Sequence, residues 1–253
     1  SLRVLDGWVA VFDASQWVEP QSETVWKQAD KYGVPRIAFV NKMDKTGWDF
    51  FMTMESIKTR LAGNKVVAIQ LPIGAESTFV GIVDLITQKA YHFEGNSGEK
   101  VTECPIPEDM LADVEMYRNE LIEKVAEQDE VLMEKYFAEG TLSVEDIKAG
   151  LRAWVCSTNL YAVICGSALQ NIWVQMMIDA AVDFLPSPMD VNNGKILVMD
   201  PEEKEKTEEI PVGDDTALAA LAFKVMTDPF VGRLTFTRVY TGTLRAGSYV
   251  YNS

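Results

Sequence analysis

The stretch RIAFVNKMD, residues 36–44, decides how the fold is interpreted. Its apolar beginning is typical of a buried strand, and its polar end marks the point where that strand stops. A similar apolar run, WVAVFD at residues 8–13, precedes it, and a segment with helical character follows each run, one from Pro20 and one up to Leu61. Strand, helix, strand and helix at this spacing predict a parallel sheet covered by helices.

The polar end of this stretch, Asn41-Lys42-Met43-Asp44, stands where open α/β sheets bind ligands. The Asp44 carboxylate can accept two parallel hydrogen bonds from N1–H and the exocyclic amine of guanine, a pair that adenine cannot supply. Asn41 can bridge the base to neighbouring loops, and the Lys42 stem can lie against the ring face. Without further context, a polar turn is the simpler explanation of these residues.

A second strand end carries the segment Gly166-Ser167-Ala168-Leu169, directly after the buried-type run LYAVIC. Its small residues allow backbone N–H groups to approach a carbonyl such as guanine O6. Alone, this segment is compatible with an ordinary small-residue turn. Together with NKMD on the same sheet, it predicts a guanine-binding site. The predicted site residues are Asn41, Lys42, Asp44, Ser167, Ala168 and Leu169.

The rest of the chain changes character twice. Residues 64–155 have short β-type runs and then an amphipathic helix, and Ser143 and Asp146 fit a capping box that opens another helix. Beyond a charged stretch, three runs of alternating apolar and polar residues predict an antiparallel β-barrel. The helix after the GSAL segment is expected to face inward through Val174, Met177, Ile178, Ala181, Val182 and Leu185.

Composition limits the classes of protein that fit. The chain has 253 residues, 47% of them hydrophobic, and a formal net charge of -15, which opposes binding to a nucleic-acid backbone because that needs clustered Lys and Arg. No apolar run reaches the roughly 18 residues that cross a bilayer. The three cysteines are not spaced for zinc and fit a reducing compartment. We expect a soluble cytoplasmic protein with no membrane partner and no direct sequence-specific nucleic-acid binding.

Several long stretches together resemble elongation factor G, a translational GTPase. They are SLRVLDG, VEPQSETVWKQADKYGVPRIAFVNKMDKTG, LPIGAE, CGSA with LPSPMDV, and LAFKVMTDPFVGRLTF with RVYTG. The resemblance runs nearly end to end. It implies a ribosome-dependent GTPase that moves tRNA and mRNA during protein synthesis. It also implies GTP and GDP as ligands, and magnesium in the parent protein.

The resemblance also implies a domain organisation and a protein partner. Residues 1–63 and 156–188 would form the G domain, 64–155 an inserted α+β subdomain, 189–212 a linker and 213–253 the start of a β-barrel domain. In this family the inserted subdomain contacts the stalk protein of the large ribosomal subunit through an acidic helix. Residues 108–128 match that helix, although a solvated acidic face is the slightly favoured interpretation of the same residues.

The sequence also departs from the family. It contains no GxxxxGK[ST] loop and no DxxGH segment, and its only histidine, His92, lies in the insertion and cannot replace the latter. Phosphoryl transfer needs such elements. The sequence therefore indicates an internal fragment without the phosphate loop and switch regions, with no catalytic residue or metal ligand predicted and no hydrolysis by this chain alone. A non-catalytic ribosome-binding or stalk-binding fragment, and a paralogous ribosomal-protection or release-factor GTPase, remain alternatives.

Four tryptophans stand where elongation factor G usually has Gly or Ala. They are Trp8, Trp17, Trp48 and Trp173. Bulky rings near the strand ends would reshape the base site, or they would cover sheet surface. The sequence does not decide between the two.

Overall fold

The computed structural model describes residues 1–74, 76–95, 100–199 and 207–251, in two compact units. One unit is Gly7–Leu185, and the other joins residues 1–6 to those from Pro186 onward. The helices are α1 Pro20–Lys31, α2 Phe50–Ile57, α3 Leu111–Ala126, α4 Glu130–Glu139, α5 Val144–Cys156 and α6 Val174–Phe184. The strands of the larger unit are β1 Trp8–Asp13, β2 Arg36–Asn41, β3 Val66–Ala68, β4 Gln70–Ile73, β5 Gly81–Asp84, β6 Lys89–Glu94, β7 Lys100–Cys104 and β8 Tyr161–Cys165. Those of the smaller unit are β9 Lys195–Met199, β10 Thr207–Pro211, β11 Ala219–Asp228 and β12 Gly232–Thr241.

A four-stranded parallel sheet forms the centre of the larger unit, in the order β1-β2-β8-β3. Every residue of β8 is buried, as are all those of β2 except Asn41, as expected for parallel strands covered by helices. The predicted α/β class is therefore confirmed. Val40 pairs with Cys165 in the register of β2 and β8, so both strands end at the same edge of the sheet. This edge carries both predicted segments.

A second, antiparallel sheet has the strand order β4-β5-β6-β7. We call it the inserted sheet. Ile69 joins the two. Its N–H donates to the Val163 carbonyl at 3.0 Å, and its own carbonyl accepts from the Leu85 N–H at 3.0 Å. Helix α3, the amphipathic helix predicted in this range, buries Val114, Leu121 and Val125.

The first strand after the predicted boundary at residue 64 lies in the central sheet. β3, which the prediction placed in the insertion, pairs in parallel with β8 and completes the central sheet. A three-residue apolar run reveals burial but not the sheet it joins, because that depends on pairing with a strand distant in sequence. The structure also contains β7 and α4, for which the sequence analysis made no prediction.

The inward face of α6 differs from the prediction in part, because Met177, Ala181 and Leu185 pack against the core as predicted. Ala180 and Phe184 are buried, whereas Ile178 is 54% and Val182 72% exposed. Apolar residues of α6 occupy much of its circumference, so their periodicity does not define a single buried face. The packing of Ala180 and Phe184 into the core determines which face of the helix points inward.

The smaller unit contains two antiparallel strand pairs, β9 with β10 and β11 with β12. The first pair lies in the range 189–212 that was predicted to be a linker, although part of the acidic run, residues 200–206, is outside the described residues. Of the three predicted barrel runs, two form β11 and β12. Residues 244–251 form no strand, so the pattern overestimated the extent of the sheet.

The predicted capping box at the start of α5 is present. The Asp146 N–H donates to Ser143 Oγ at 3.1 Å, and the Ser143 hydroxyl donates to the Asp146 carboxylate at 2.9 Å. We expect Ser143→Ala to lower the free energy of unfolding by about 1 kcal/mol, because the helix loses its N-terminal acceptor. Urea denaturation measures this. Ser22→Ala within α1 is the control, and an equal effect of both substitutions would contradict the capping role.

Candidate nucleotide-binding site

The two strand ends meet through direct hydrogen bonds. Ser167 Oγ donates to Asp44 Oδ1 at 2.5 Å, and the Ala168 N–H donates to Asn41 Oδ1 at 2.9 Å. The backbone adds a third link, because the Met43 N–H donates to the Gly166 carbonyl at 3.2 Å. The polar side chains of the two predicted segments therefore lie in one cluster, although they are 123 and 127 residues apart in sequence.

The Asp44 carboxylate has capacity to accept further hydrogen bonds. It is half-buried, and within the described part of the chain only Ser167 donates to it. Ser167 is 1% exposed, so its hydroxyl is held in place and fixes the orientation of the carboxylate. A carboxylate oriented in this way can accept a pair of N–H groups from a planar base. This is the donor pattern that guanine presents.

The other predicted residues are placed less directly. The Ala168 N–H, expected to face a ligand carbonyl, is engaged by Asn41, so a ligand would have to share or replace that hydrogen bond. The Leu169 side chain is 81% exposed. A role for either residue in base binding stays a prediction.

Asp13 joins the cluster, and sequence reasoning missed it. It ends β1 directly opposite Asn41, and its carboxylate forms an ion pair with Lys42. Ser15 donates to the same carboxylate through its N–H at 3.0 Å and its hydroxyl at 2.7 Å. The signal was available, because β1 is a third strand whose carboxyl end was predicted to share this edge.

The contacts of Asp13 shift its titration. Partial burial alone would raise the pKa of the carboxyl, but the hydrogen bonds from Lys42 and Ser15 outweigh it and lower the pKa below the ordinary 3.8. The same ion pair raises the pKa of Lys42. Lys42 adopts φ 66°, a left-handed conformation that is uncommon outside glycine. The ion pair therefore anchors a loop with an unfavourable backbone geometry.

A pH dependence follows from the lowered pKa of Asp13. Its stabilising contribution is fully present above the ordinary pKa of 3.8 and is lost as the pH falls through the lower folded value. We expect Asp13→Asn to remove this part of the acid destabilisation, so that the variant loses less stability than the parent between about pH 5 and pH 2. Urea midpoints across this range test it. Parallel pH curves for the two proteins would contradict it.

Gly166 allows the two loops to approach closely. A Cβ atom at this position would lie 2.8 Å from the Ile172 carbonyl oxygen and 3.0 Å from the Phe39 ring. Ser167 and Ile172 are linked by two backbone hydrogen bonds, of 3.0 and 2.9 Å. Only glycine fits at residue 166 without displacing this pair, and the pair holds Ser167 facing Asp44.

The four tryptophans occupy different environments. Trp8 lies against Trp26 of α1, with ring centroids 6.5 Å apart, and Trp17 is 41% exposed. Trp48 contacts Phe79 at 6.3 Å, and Trp173 is fully buried against Phe93 and Tyr91 of β6. Trp48 and Trp173 therefore contact the inserted sheet and the segment between its first two strands, a location that neither sequence interpretation anticipated.

Two structural features are absent from the described ranges. No group of three or more His, Cys, Asp or Glu side chains there is arranged to hold a metal ion. Likewise, none of the helices described is both long enough and apolar enough to cross a membrane.

Comparison with known proteins identifies the family to which this fold belongs. A solved structure of a Thermus thermophilus protein superimposes with a TM-score of 0.76 and 27% sequence identity, covering 98% of this chain. The chain spans 33% of the length of that protein. The family described as the elongation factor Tu GTP binding domain matches residues 1–187. The chain therefore belongs to the elongation factor Tu GTP-binding domain family and carries a translational GTPase domain.

Proposed function

We propose that this chain supplies the guanine-recognising part of a ribosome-dependent GTPase of the elongation factor G type, which promotes movement of tRNA and mRNA. The observation that carries the proposal is the contact between the two strand ends. Ser167 orients the Asp44 carboxylate, and Asn41 ties the backbone of the GSAL segment to its own strand. These are the positions at which the sequence resembles the guanine-binding segments of elongation factor G.

The proposed division of work follows from what the sequence contains. Asp44 reads the base, Asn41 and Ser167 fix the two loops, and Lys42 lies beside them in its ion pair with Asp13. The sequence has no GxxxxGK[ST] loop. We therefore assign to this chain the selection of guanine, and no step of phosphate transfer or magnesium binding.

A titration of the 253-residue chain with fluorescent GDP and fluorescent ADP tests the proposal. We expect GDP to bind at least about tenfold more tightly, since adenine leaves the Asp44 carboxylate without its paired donors. Equal binding of the two nucleotides, or binding of neither, would overturn it.

A second candidate function is a ribosome-binding or stalk-binding module without nucleotide binding. Helix α3 favours it, because acidic side chains of this helix, including Asp113 and Glu115, are exposed. The partner would be the stalk protein of the large ribosomal subunit, in the cytoplasm. The double substitution Asp113→Lys and Glu115→Lys should then abolish association with the stalk protein in a pull-down. Undiminished association would exclude this face as the contact.

The type of translational GTPase is also part of the proposal. The stretches that resemble elongation factor G run through both the α/β domain and the β11–β12 ribbon, which favours that factor over ribosomal-protection and release-factor relatives. A translocation assay on ribosomes, using a full-length protein that contains this chain, distinguishes them. Stop-codon-dependent peptide release without translocation would exclude the elongation factor assignment.

A further inference from the structure

Both loops of the proposed guanine site are in contact with the inserted subdomain. We call residues 41–49 the first loop and residues 166–173 the second loop. The Gly47 N–H in the first loop donates to the Glu76 carboxylate at 2.9 Å, and the next residue, Trp48, meets Phe79 edge to face at 6.3 Å. Phe79 is 5% exposed, so the Trp48 ring lies against a buried side chain.

The second loop ends in a more extensive contact. Trp173 meets Phe93 edge to face at 4.7 Å and lies 5.9 Å from Tyr91. Both partners belong to β6, in the middle of the inserted sheet. Trp173 immediately follows Ile172, whose backbone is paired with Ser167. The contact with the inserted sheet is therefore adjacent in sequence to the hydrogen-bonded pair that orients Asp44.

The backbone at Trp173 has a conformation that is unusual for a residue of this size. Its φ is +73°, a left-handed conformation in which a bulky residue is unusual and glycine is favoured. Among the described residues, its buried indole Nε1 has no hydrogen-bond partner. Aromatic packing is thus the interaction that offsets an unfavourable backbone and an unsatisfied N–H.

We infer that Trp48 and Trp173 are positioning residues, which hold the two guanine-reading loops in register with the inserted sheet. The inference rests on the proposed guanine site. Because each contact joins a loop to a different part of the insertion, displacement of the insertion would disturb both halves of the site together. The coupling is reciprocal, so nucleotide in the site stabilises the packing of β6 against Trp173.

The test uses two substitutions on opposite sides of the contact, Trp173→Gly and Phe93→Leu, singly and together in the full chain. Glycine suits the left-handed backbone, so Trp173→Gly removes the ring without adding strain. Phe93→Leu leaves the second loop unchanged in sequence. The matched control is Trp26→Leu, which removes an equally buried ring from α1, where its contacts are with Trp8, Phe12, Arg36 and Tyr161.

Two measurements are made on each protein: the affinity for fluorescent GDP, and the hydrogen exchange of the Ser167 and Ile172 amides without nucleotide. We expect each test substitution to weaken GDP binding about tenfold and to accelerate exchange of both amides, a size typical of coupling through packed side chains. The double variant should bind GDP no more weakly than the more affected single variant, since both substitutions remove the same contact. Trp26→Leu should change neither quantity once its global stability is taken into account.

The outcomes separate this inference from the proposed function. If the parent chain binds neither GDP nor ADP, the proposed function fails, while amide exchange still decides whether the rings position the second loop. If Trp173→Gly does not fold, Phe93→Leu carries the same test. If exchange and GDP affinity change no more than in Trp26→Leu, the Trp173 and Phe93 rings are ordinary core residues, and the inference is overturned.

Discussion

Asp44→Asn is expected to weaken GDP binding about 100-fold, or about 3 kcal/mol, because one paired set of charge-assisted hydrogen bonds is lost. An asparagine side chain offers one acceptor oxygen, and its NH2 group would face a donor of guanine. The Ser167 hydroxyl can still donate to the remaining amide oxygen, so the fold of the two loops should be retained. The observed contact between Ser167 and Asp44 is the basis for this expectation.

The same substitution should reverse the preference between bases. Xanthine carries a carbonyl where guanine has its exocyclic amine, so the side-chain amide introduced by Asp44→Asn can donate to it. We therefore expect fluorescent XDP to bind the variant more tightly than GDP does. Asp113→Asn, an identical change of charge on the exposed surface of α3, is the control and should leave GDP binding unchanged. Equal loss in both variants, or undiminished GDP binding by Asp44→Asn, would remove Asp44 from the site.

Much of the cluster that carries Asp44 was predictable because its signal is local. Two apolar runs end in polar or small segments, and parallel strands place such ends at one edge. Asn41, Ser167 and Ala168 lie where this reasoning placed them, within hydrogen-bonding distance of each other's loops. Leu169 was predicted as part of the GSAL segment, whose backbone N–H groups would approach the base; its side chain is exposed, and its role stays a prediction.

Contacts between the parallel sheet and the insertion could not be predicted in the same way. Trp173 and Phe93 are far apart in sequence, and nothing in either local pattern indicates that their rings meet. Trp173 stands where elongation factor G usually has Gly or Ala. That difference shows only that the position is unusual. The left-handed backbone and the partner ring became visible only in three dimensions.

The errors in the fold have related physical causes. β3 has three residues, and its membership in the central sheet depends on pairing with β8, which comes almost a hundred residues later in the sequence. β9 and β10 were overlooked because the charged run between them dominates the range 189–212, although β9 itself, KILVM, is largely apolar and only β10, TEEIP, is mostly polar. Residues 244–251 show the opposite case, since alternation predicted a strand that the structure lacks. Alternation of apolar and polar residues indicates where a strand can form, but it does not supply the pairing partner.

Arg36 presents the second large expected effect, on stability. It is 0% exposed, forms an ion pair with Asp30, and donates to the Trp26 carbonyl at 3.0 Å. Its guanidinium lies 4.3 Å from the centroid of the Trp26 ring and 5.1 Å from that of Tyr161. A buried cation of this kind depends on its carboxylate partner, because the surrounding rings and one carbonyl do not neutralise it.

We expect Asp30→Ala to lower the free energy of unfolding by about 2 to 3 kcal/mol, somewhat less than for a fully buried pair because the Asp30 side chain is 47% exposed. Adding Arg36→Met should restore stability to within about 1 kcal/mol of the parent, since the buried charge is then removed and an apolar side chain of similar length fills its space. Urea denaturation of the single and double variants measures both effects.

The control for Arg36 and Asp30 is a surface ion pair. Asp183→Ala removes the partner of Lys148, where both side chains are substantially exposed, and should cost less than about 1 kcal/mol. If the double variant were less stable than Asp30→Ala alone, the contacts of Arg36 with Trp26 and Tyr161 would outweigh the cost of burying its charge. Recovery of stability in the double variant would therefore show that the Arg36 charge is tolerated because Asp30 neutralises it. A further loss of stability would show that Arg36 is retained for its packing.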